Sequence, residues 1–372
     1  MDDQLMLGAI AVVLGLGAGA VLFVGFVALS YRRRGSFSVP RAIAWAAALV
    51  YFWAIWTYTL LPLPDPAAIR CMPTNLDPLA FLDEIGAAVD RAQGRPLAAL
   101  TDPAVMQITL NVLLFVPLGF FARLLGGRGV AVAAVGGLAT SAVVELTQLT
   151  GVWGLYPCAY RVFDVDDLLT NTTGAVLGSV LAFVVPRRHW GRNSVVAPEA
   201  PRPVTVPRRL LAMVSDWLAF TLVGAGAAIV VQALLLYVLD DRPAALEGHI
   251  STTVGVVVPL LVWLVVTLAT GRTVGDIAVR LRYTGSPLPP VAARLLRLGG
   301  GIGGYGLLQL LQLLPSAAGW VGPLLAAFPV VALVATLATE HGRGLPGLAS
   351  RHHLEDSRAR GGGPAGPAPW TS

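Results

Sequence analysis

Residues 107–125 read QITLNVLLFVPLGFFARLL, and residues 129–150 read GVAVAAVGGLATSAVVELTQLT. Each run carries one charged residue, Arg123 in the first and Glu145 in the second. With a rise of about 1.5 Å per residue, some 20 apolar residues cross the ~30 Å hydrocarbon core of a bilayer. The same pattern recurs along the chain. We expect spans at roughly 5–30, 41–61, 107–125, 129–150, 167–186, 209–239, 251–270, 298–314 and 320–339. The sixth block is too long for one straight span and is expected to tilt or to extend past the membrane.

Composition agrees with this reading. The chain has 372 residues, of which 55% are hydrophobic and 13% charged. Soluble domains are about a quarter charged, so an ordinary soluble protein and a disordered one are both excluded. All 26 basic residues are arginine. The sequence pI near 9.6 is assigned to arginines retained on the cytoplasmic side rather than to nucleic-acid binding, and no nucleic-acid partner is expected. With the N-terminus outside, the inside segments hold 21 arginines and the outside segments five. Asp2 and Asp3 precede the first span and Arg32, Arg33 and Arg34 follow it, which reads as an uncleaved first helix rather than a secretory signal. The expected fold class is an all-α multi-pass membrane protein of about nine transmembrane helices in two modules, five plus four, with the N-terminus out and the C-terminus in. The first module covers 1–186. A Pro/Arg-rich cytoplasmic linker at 187–207 leads to a second module at 208–350, and 351–372 is expected to be a disordered tail.

Polar groups inside spans are costly and mark the chemistry. Asn111 opens the third span, Glu145 and Gln148 lie on one face near the outer end of the fourth, and Arg161, Asp164, Asp166, Asp167 and Asn171 lead into the fifth. With the assigned orientation all of them fall in one depth layer near the outer face. Arg161 is suited to pair with a carboxylate or to hold a phosphate. Two readings stay open, an internal network that packs three helices and a ligand-facing site. Gly119, Gly174 and Gly178 would let helices approach closely, and the last two have GxxxG spacing. Residues 79–92 show helical spacing of Leu82, Ile85 and Val89. Cys71 and Cys158 both fall in outer loops, and we expect a disulfide between them. No CxxC or Cys/His cluster is present, so no metal site and no cofactor is expected.

The elements NVLLFVPLGFF at 111–121, Glu145-x-x-Gln148 and Arg161-x-x-Asp164-x-Asp166-Asp167-x-x-x-Asn171-x-x-Gly174 resemble the VanZ-like family over about 40–186. Asn75-Leu76-x-Pro78 resembles a further family element, with Leu79 in place of its usual phenylalanine. The resemblance implies a cell-envelope membrane protein, since the family's named member is associated with resistance to the lipoglycopeptide teicoplanin.

In the second module Arg209, Ala212 and Asp216 resemble the opening of the RDD family, and Thr273 and Gly275 its T-x-G segment, over about 207–350. Two departures stand out. Asp276 replaces a usual lysine, and the later His-Asp pair falls near Pro346-Gly347 and is missing. Arg209 and Asp216 are two turns apart on one face and are expected to pair. Asp276 is expected to be a solvated loop charge. The stretch IAVRLRY at 277–283 alternates as a short strand would.

Three functions follow as expectations. The first is a non-catalytic envelope protein whose outer polar layer binds membrane lipid, a lipid-linked cell-wall precursor or an amphiphilic glycopeptide. The second is an enzyme acting on an envelope lipid headgroup, with Glu145 or Asp164 as general base, although no GxSxG, HExxH or Cys–His pattern supplies a nucleophile or metal. The third is a transporter of ions or small solutes using Glu145 and Asp216.

Overall fold

The computed structural model describes residues 2–93, 95–187, 190 and 199–359. The chain divides into two compact units, residues 1–19 with 38–193 and residues 20–37 with 194–372. Helix α1 (Asp2–Arg34) contributes to both. Among the described residues eight helices are long and apolar enough to cross a membrane.

In the first unit α2 (Val39–Leu60) is followed by strand β1 (Thr74–Asn75), α3 (Ala80–Arg91) and α4 (Pro96–Leu100). Then come α5 (Pro103–Gly126), α6 (Val130–Leu149), the single turn α7 (Gly151–Gly154), strand β2 (Phe163–Asp164) and α8 (Val165–Leu181). Ile55, Phe115 and Val144 form the core between α2, α5 and α6. On α3 the buried residue is Ala88, while Leu82 and Val89 are exposed, so the apolar stripe at 79–92 does not face the core.

The tightest packing joins α5 to α8. A Cβ at Gly119 would overlap the carbonyl oxygen of Ala175, one at Gly174 that of Val112, and one at Gly178 that of Val116. Backbone meets backbone over three turns, which in lipid replaces the missing hydrophobic drive between helices by close packing. Arg41 donates to the Leu125 carbonyl and Arg123 to Ser179, so the start of α2 and the ends of α5 and α8 share one end of the unit. The polar residues of α6 and α8 lie at the other.

The second unit starts with α9 (Val206–Tyr237), α10 (Arg242–Glu247), α11 (His249–Thr270), the short α12 (Val274–Ala278) and strand β3 (Leu281–Thr284). It continues with α13 (Pro290–Gly299), α14 (Ile302–Gln312), α15 (Ala318–Ala338), α16 (Gly344–Ser350) and β4 (His353–Asp356). The run expected as one span at 298–314 is instead divided between α13 and α14. A Cβ at Gly300 would lie 2.9 Å from the Leu345 carbonyl, so the chain turns there against α16. The 11 residues of α14 extend only about 16 Å, too short to cross a bilayer alone.

The tail differs from expectation up to residue 359. His353–Asp356 pairs antiparallel with β3, Leu281 opposite Asp356 and Thr284 opposite His353. Residues 360–372 of the expected tail and ten residues of the expected linker, 188–189 and 191–198, lie outside the described residues. Val27 and Tyr31 near the end of α1 are buried with Ala212, Val279, Leu281 and Leu354, so this part of α1 belongs to the second unit's core.

Arg208 holds this end together. It donates to the carbonyls of Val279 and Arg280 and pairs with Asp356 at 2.9 Å. Burial by itself raises the Asp356 carboxyl, but Arg358, two backbone N–H groups and Arg208 outweigh it and the net shift is downward.

Two outcomes are expected. Gly178→Leu should lower the melting temperature and folded yield in detergent, because overpacking costs about 1–3 kcal/mol or more. The folded pKa of Asp356 lies below its unfolded value, so its contribution is complete above pH ~4 and is lost as pH falls through the folded value. Melting curves of wild type and Asp356→Asn should therefore differ at pH 7 and converge on acidification.

Candidate functional site: a polar layer at one end of the first unit

Helix α8 begins in a knot of carboxylates. Asp164 caps it by accepting the Asp166 N–H at 2.9 Å, the usual use of aspartate at a helix start. The Asp164 N–H donates to Glu145 Oε2 at 3.1 Å, and its carboxylate accepts from Asn75 Nδ2 at 3.2 Å. The parallel pairing of β1 with β2 sets Asn75 opposite Asp164. Asp166 accepts the N–H groups of Leu79 and Phe81 at 2.7 and 2.9 Å, which fixes the start of α3. Asn111 donates to Asp167 Oδ1, and Asn171 to Ser141 Oγ at 2.9 Å. Ser141 in turn donates to the Asp167 carbonyl. The α8 N-terminus offers its positive dipole end to this negative cluster.

Six of the expected residues are thus brought into one layer: Asn111, Glu145, Asp164, Asp166, Asp167 and Asn171. Gln148 stands apart from it, donating to the Thr59 carbonyl at 2.8 Å and tying α6 to the end of α2. Among the described residues Arg161 makes no ion pair. One terminal nitrogen donates to the Leu61 carbonyl at 3.1 Å, and that is its one hydrogen bond among the described residues. Cys71 and Cys158 are joined by a disulfide, and Met72 N–H bonds the Ala159 carbonyl beside it. Together with Tyr156, which donates to the Pro64 carbonyl, these contacts hold the loop bearing Arg161 against the loop after α2. Among the described residues no three His, Cys, Asp or Glu side chains are placed to hold a metal ion.

The second unit corrects the expected Arg209–Asp216 pair. Arg209 bonds Asp276 at 2.7 Å. Asp216 accepts instead from Trp263 Nε1, Thr273 Oγ1 and the Gly275 N–H at 2.8, 2.6 and 2.7 Å. Two helical turns separate Arg209 from Asp216 by about 10 Å along the axis, so each reaches a different part of α12. Asp276 is not a solvated charge. It is 1% exposed and completes a capping box with Thr273. The sequence signal was present in Thr273-x-x-Asp276, which has capping-box spacing. The roles of Trp263 and Ser141 had no local signal, since both depend on a neighbouring helix.

Removing the carboxylate charge in Asp276→Asn should leave the Arg209 cation buried without its counter-ion. A loss of about 3–5 kcal/mol is expected, read as a large fall in melting temperature. The exposed pair Arg242–Asp240 should tolerate the equivalent change within about 0.5 kcal/mol.

No curated protein and no solved structure matches the chain. No RDD family match was found over the second half. Residues 48–186 match the family model described as VanZ/LLP1.

Proposed function

We propose that the protein is a cell-membrane envelope protein whose VanZ-like domain binds the polar head of an amphiphile at its outer end. The ligand class is a lipid-linked cell-wall precursor or a teicoplanin-type lipoglycopeptide. The observation that carries this reading is the imbalance at the polar layer. Four carboxylates are committed to amides, backbone N–H groups and helix caps, while the nearby Arg161 guanidinium spends one of its five N–H groups on a carbonyl. A free planar donor set beside a rigid, disulfide-held loop suits a phosphate or carboxylate on a lipid headgroup. The orientation that places this layer outside rests on the arginine distribution, 21 against five.

Exposed apolar residues support an amphiphilic ligand. Trp153 and Leu155, between α6 and Arg161, are 68% and 66% exposed, and aromatic side chains favour the membrane–water interface. The carboxylates then serve as the scaffold that fixes the loop, and Arg161 is the contact. For the second unit we propose an RDD-like module, on the strength of Arg209, Asp216, Thr273 and Gly275. Supporting this reading, Arg209 and Asp216 bond to Asp276, Thr273 and Gly275 at α12.

Wild type, Arg161→Ala and Glu145→Gln should be expressed at matched membrane levels in a susceptible bacterium. Wild type should reduce teicoplanin susceptibility. Arg161→Ala should abolish that protection and weaken binding of purified protein to the lipid-linked precursor by about tenfold or more. Protection by Arg161→Ala equal to wild type would overturn the assignment of Arg161. Absence of protection and of precursor binding by wild type would overturn the ligand class.

A further inference from the structure

The second unit contains a cavity of about 520 Å³ lined by four arginines, Arg272, Arg282, Arg294 and Arg297, with His352 and no acidic residue in its lining. The four cations have different commitments. Arg282 is shared between Glu355 and the Ala359 carbonyl, and Arg294 donates to the Leu268 carbonyl. The Arg272 side chain has no hydrogen-bond partner among the described residues. Arg282 Nε is buried without a hydrogen-bond partner, and Arg297 goes further. It is 2% exposed, and its Nε and one terminal nitrogen are buried without a hydrogen-bond partner. Its guanidinium lies 5.0 Å from the centre of the Tyr283 ring. That cation–π contact satisfies no N–H group.

A buried cation with unmet donors is costly. The carboxylate whose field reaches Arg297 is Asp276, and it is already bonded to Arg209. Burial, with Arg297 and His353 close by, holds the His352 imidazole below its ordinary value, so at pH 7 it is a neutral hydrogen-bonding group. Positive charge retained only for topology would sit at the solvated surface. It would not require a buried guanidinium, an aromatic ring beneath it and three further arginines around one concavity.

We propose that this cavity binds a phosphate group, with the buried Arg297 as its inner donor and Arg272, Arg282 and Arg294 around it. The chemistry is shared by a soluble phosphate and by the headgroup of an anionic lipid. Arginine forks match phosphate oxygens bidentately, and the four charges together offset a phosphate's one or two negative charges. The site is separate from the Arg161 loop and stands whether or not that loop binds a headgroup.

The test uses the full chain in phosphatidylcholine nanodiscs. Inorganic phosphate is titrated by calorimetry. In parallel, melting temperature is compared between nanodiscs with and without phosphatidylglycerol. Saturable binding of inorganic phosphate would identify a soluble source, and stabilisation by phosphatidylglycerol alone would identify the headgroup. In either arm Arg297→Gln should weaken the effect at least about tenfold, and Arg297→Lys should recover part of it. If Arg297→Gln does not fold, Arg272→Gln, which removes no side-chain hydrogen bond among the described residues, should weaken binding instead. Arg242→Gln, far along the sequence and exposed, is the control for general charge. No response to either probe would overturn the proposal, as would an equal loss in Arg242→Gln or full binding by a folded Arg297→Gln.

Discussion

The backbone contact between α5 and α8 is the constraint on which the first unit depends. Three glycines on these helices leave room for the carbonyls of the facing helix and for nothing larger. Asn111 lies in the third turn of α5, and Asp167 on the first turn of α8. They meet because the axes are this close. Any side chain at Gly174 or Gly178 would push α8 outward and break the amide–carboxylate contact with it. Packing of small residues in the membrane thus sets the geometry of the polar layer, and the polar layer fixes the loops.

The carboxylates of that layer do structural work of a definite kind. Asp166 fixes two N–H groups at the start of α3, Asp164 caps α8, and Glu145 holds the backbone that leads into the cap. Each supplies an acceptor where lipid or protein would leave a donor unsatisfied. This commitment separates the scaffold from the loop it holds. Arg161 sits on that loop with donors to spare, which is why the ligand reading falls on the arginine and not on the acids.

In the second unit α12 has the corresponding role. It is only five residues long, yet Asp216 and Arg209 of α9 both bond to it or its cap, and Trp263 of α11 donates to Asp216 from the other side of that contact. Residues that looked like a pair from their spacing therefore serve one short helix from two heights. The small sheet that follows extends the same construction. Arg208 bonds the two carbonyls just before β3 and Asp356 in β4, and Tyr283 in β3 lies against two guanidiniums, those of Arg209 and Arg297.

The sequence by itself determined the membrane class, the helical spans of the first unit and the depth layer shared by Asn111, Glu145, Asp164, Asp167 and Asn171. These follow from hydropathy and rise per residue, which are local quantities. Partner choice was decided only by the tertiary structure. Spacing on α9 shows that Arg209 and Asp216 share a face, but the competing partners Asp276, Thr273 and Trp263 come from other elements. The same holds for Arg161, whose carbonyl partner lies 100 residues away in sequence. It holds for β4, since HLED at 353–356 has no strand pattern of its own and is ordered by the open edge of β3. The division of residues 290–312 at Gly300 also needed the fold, because the carbonyl that excludes a side chain there belongs to Leu345. Periodicity along one chain segment records which way a residue faces, and only the folded chain determines what it meets.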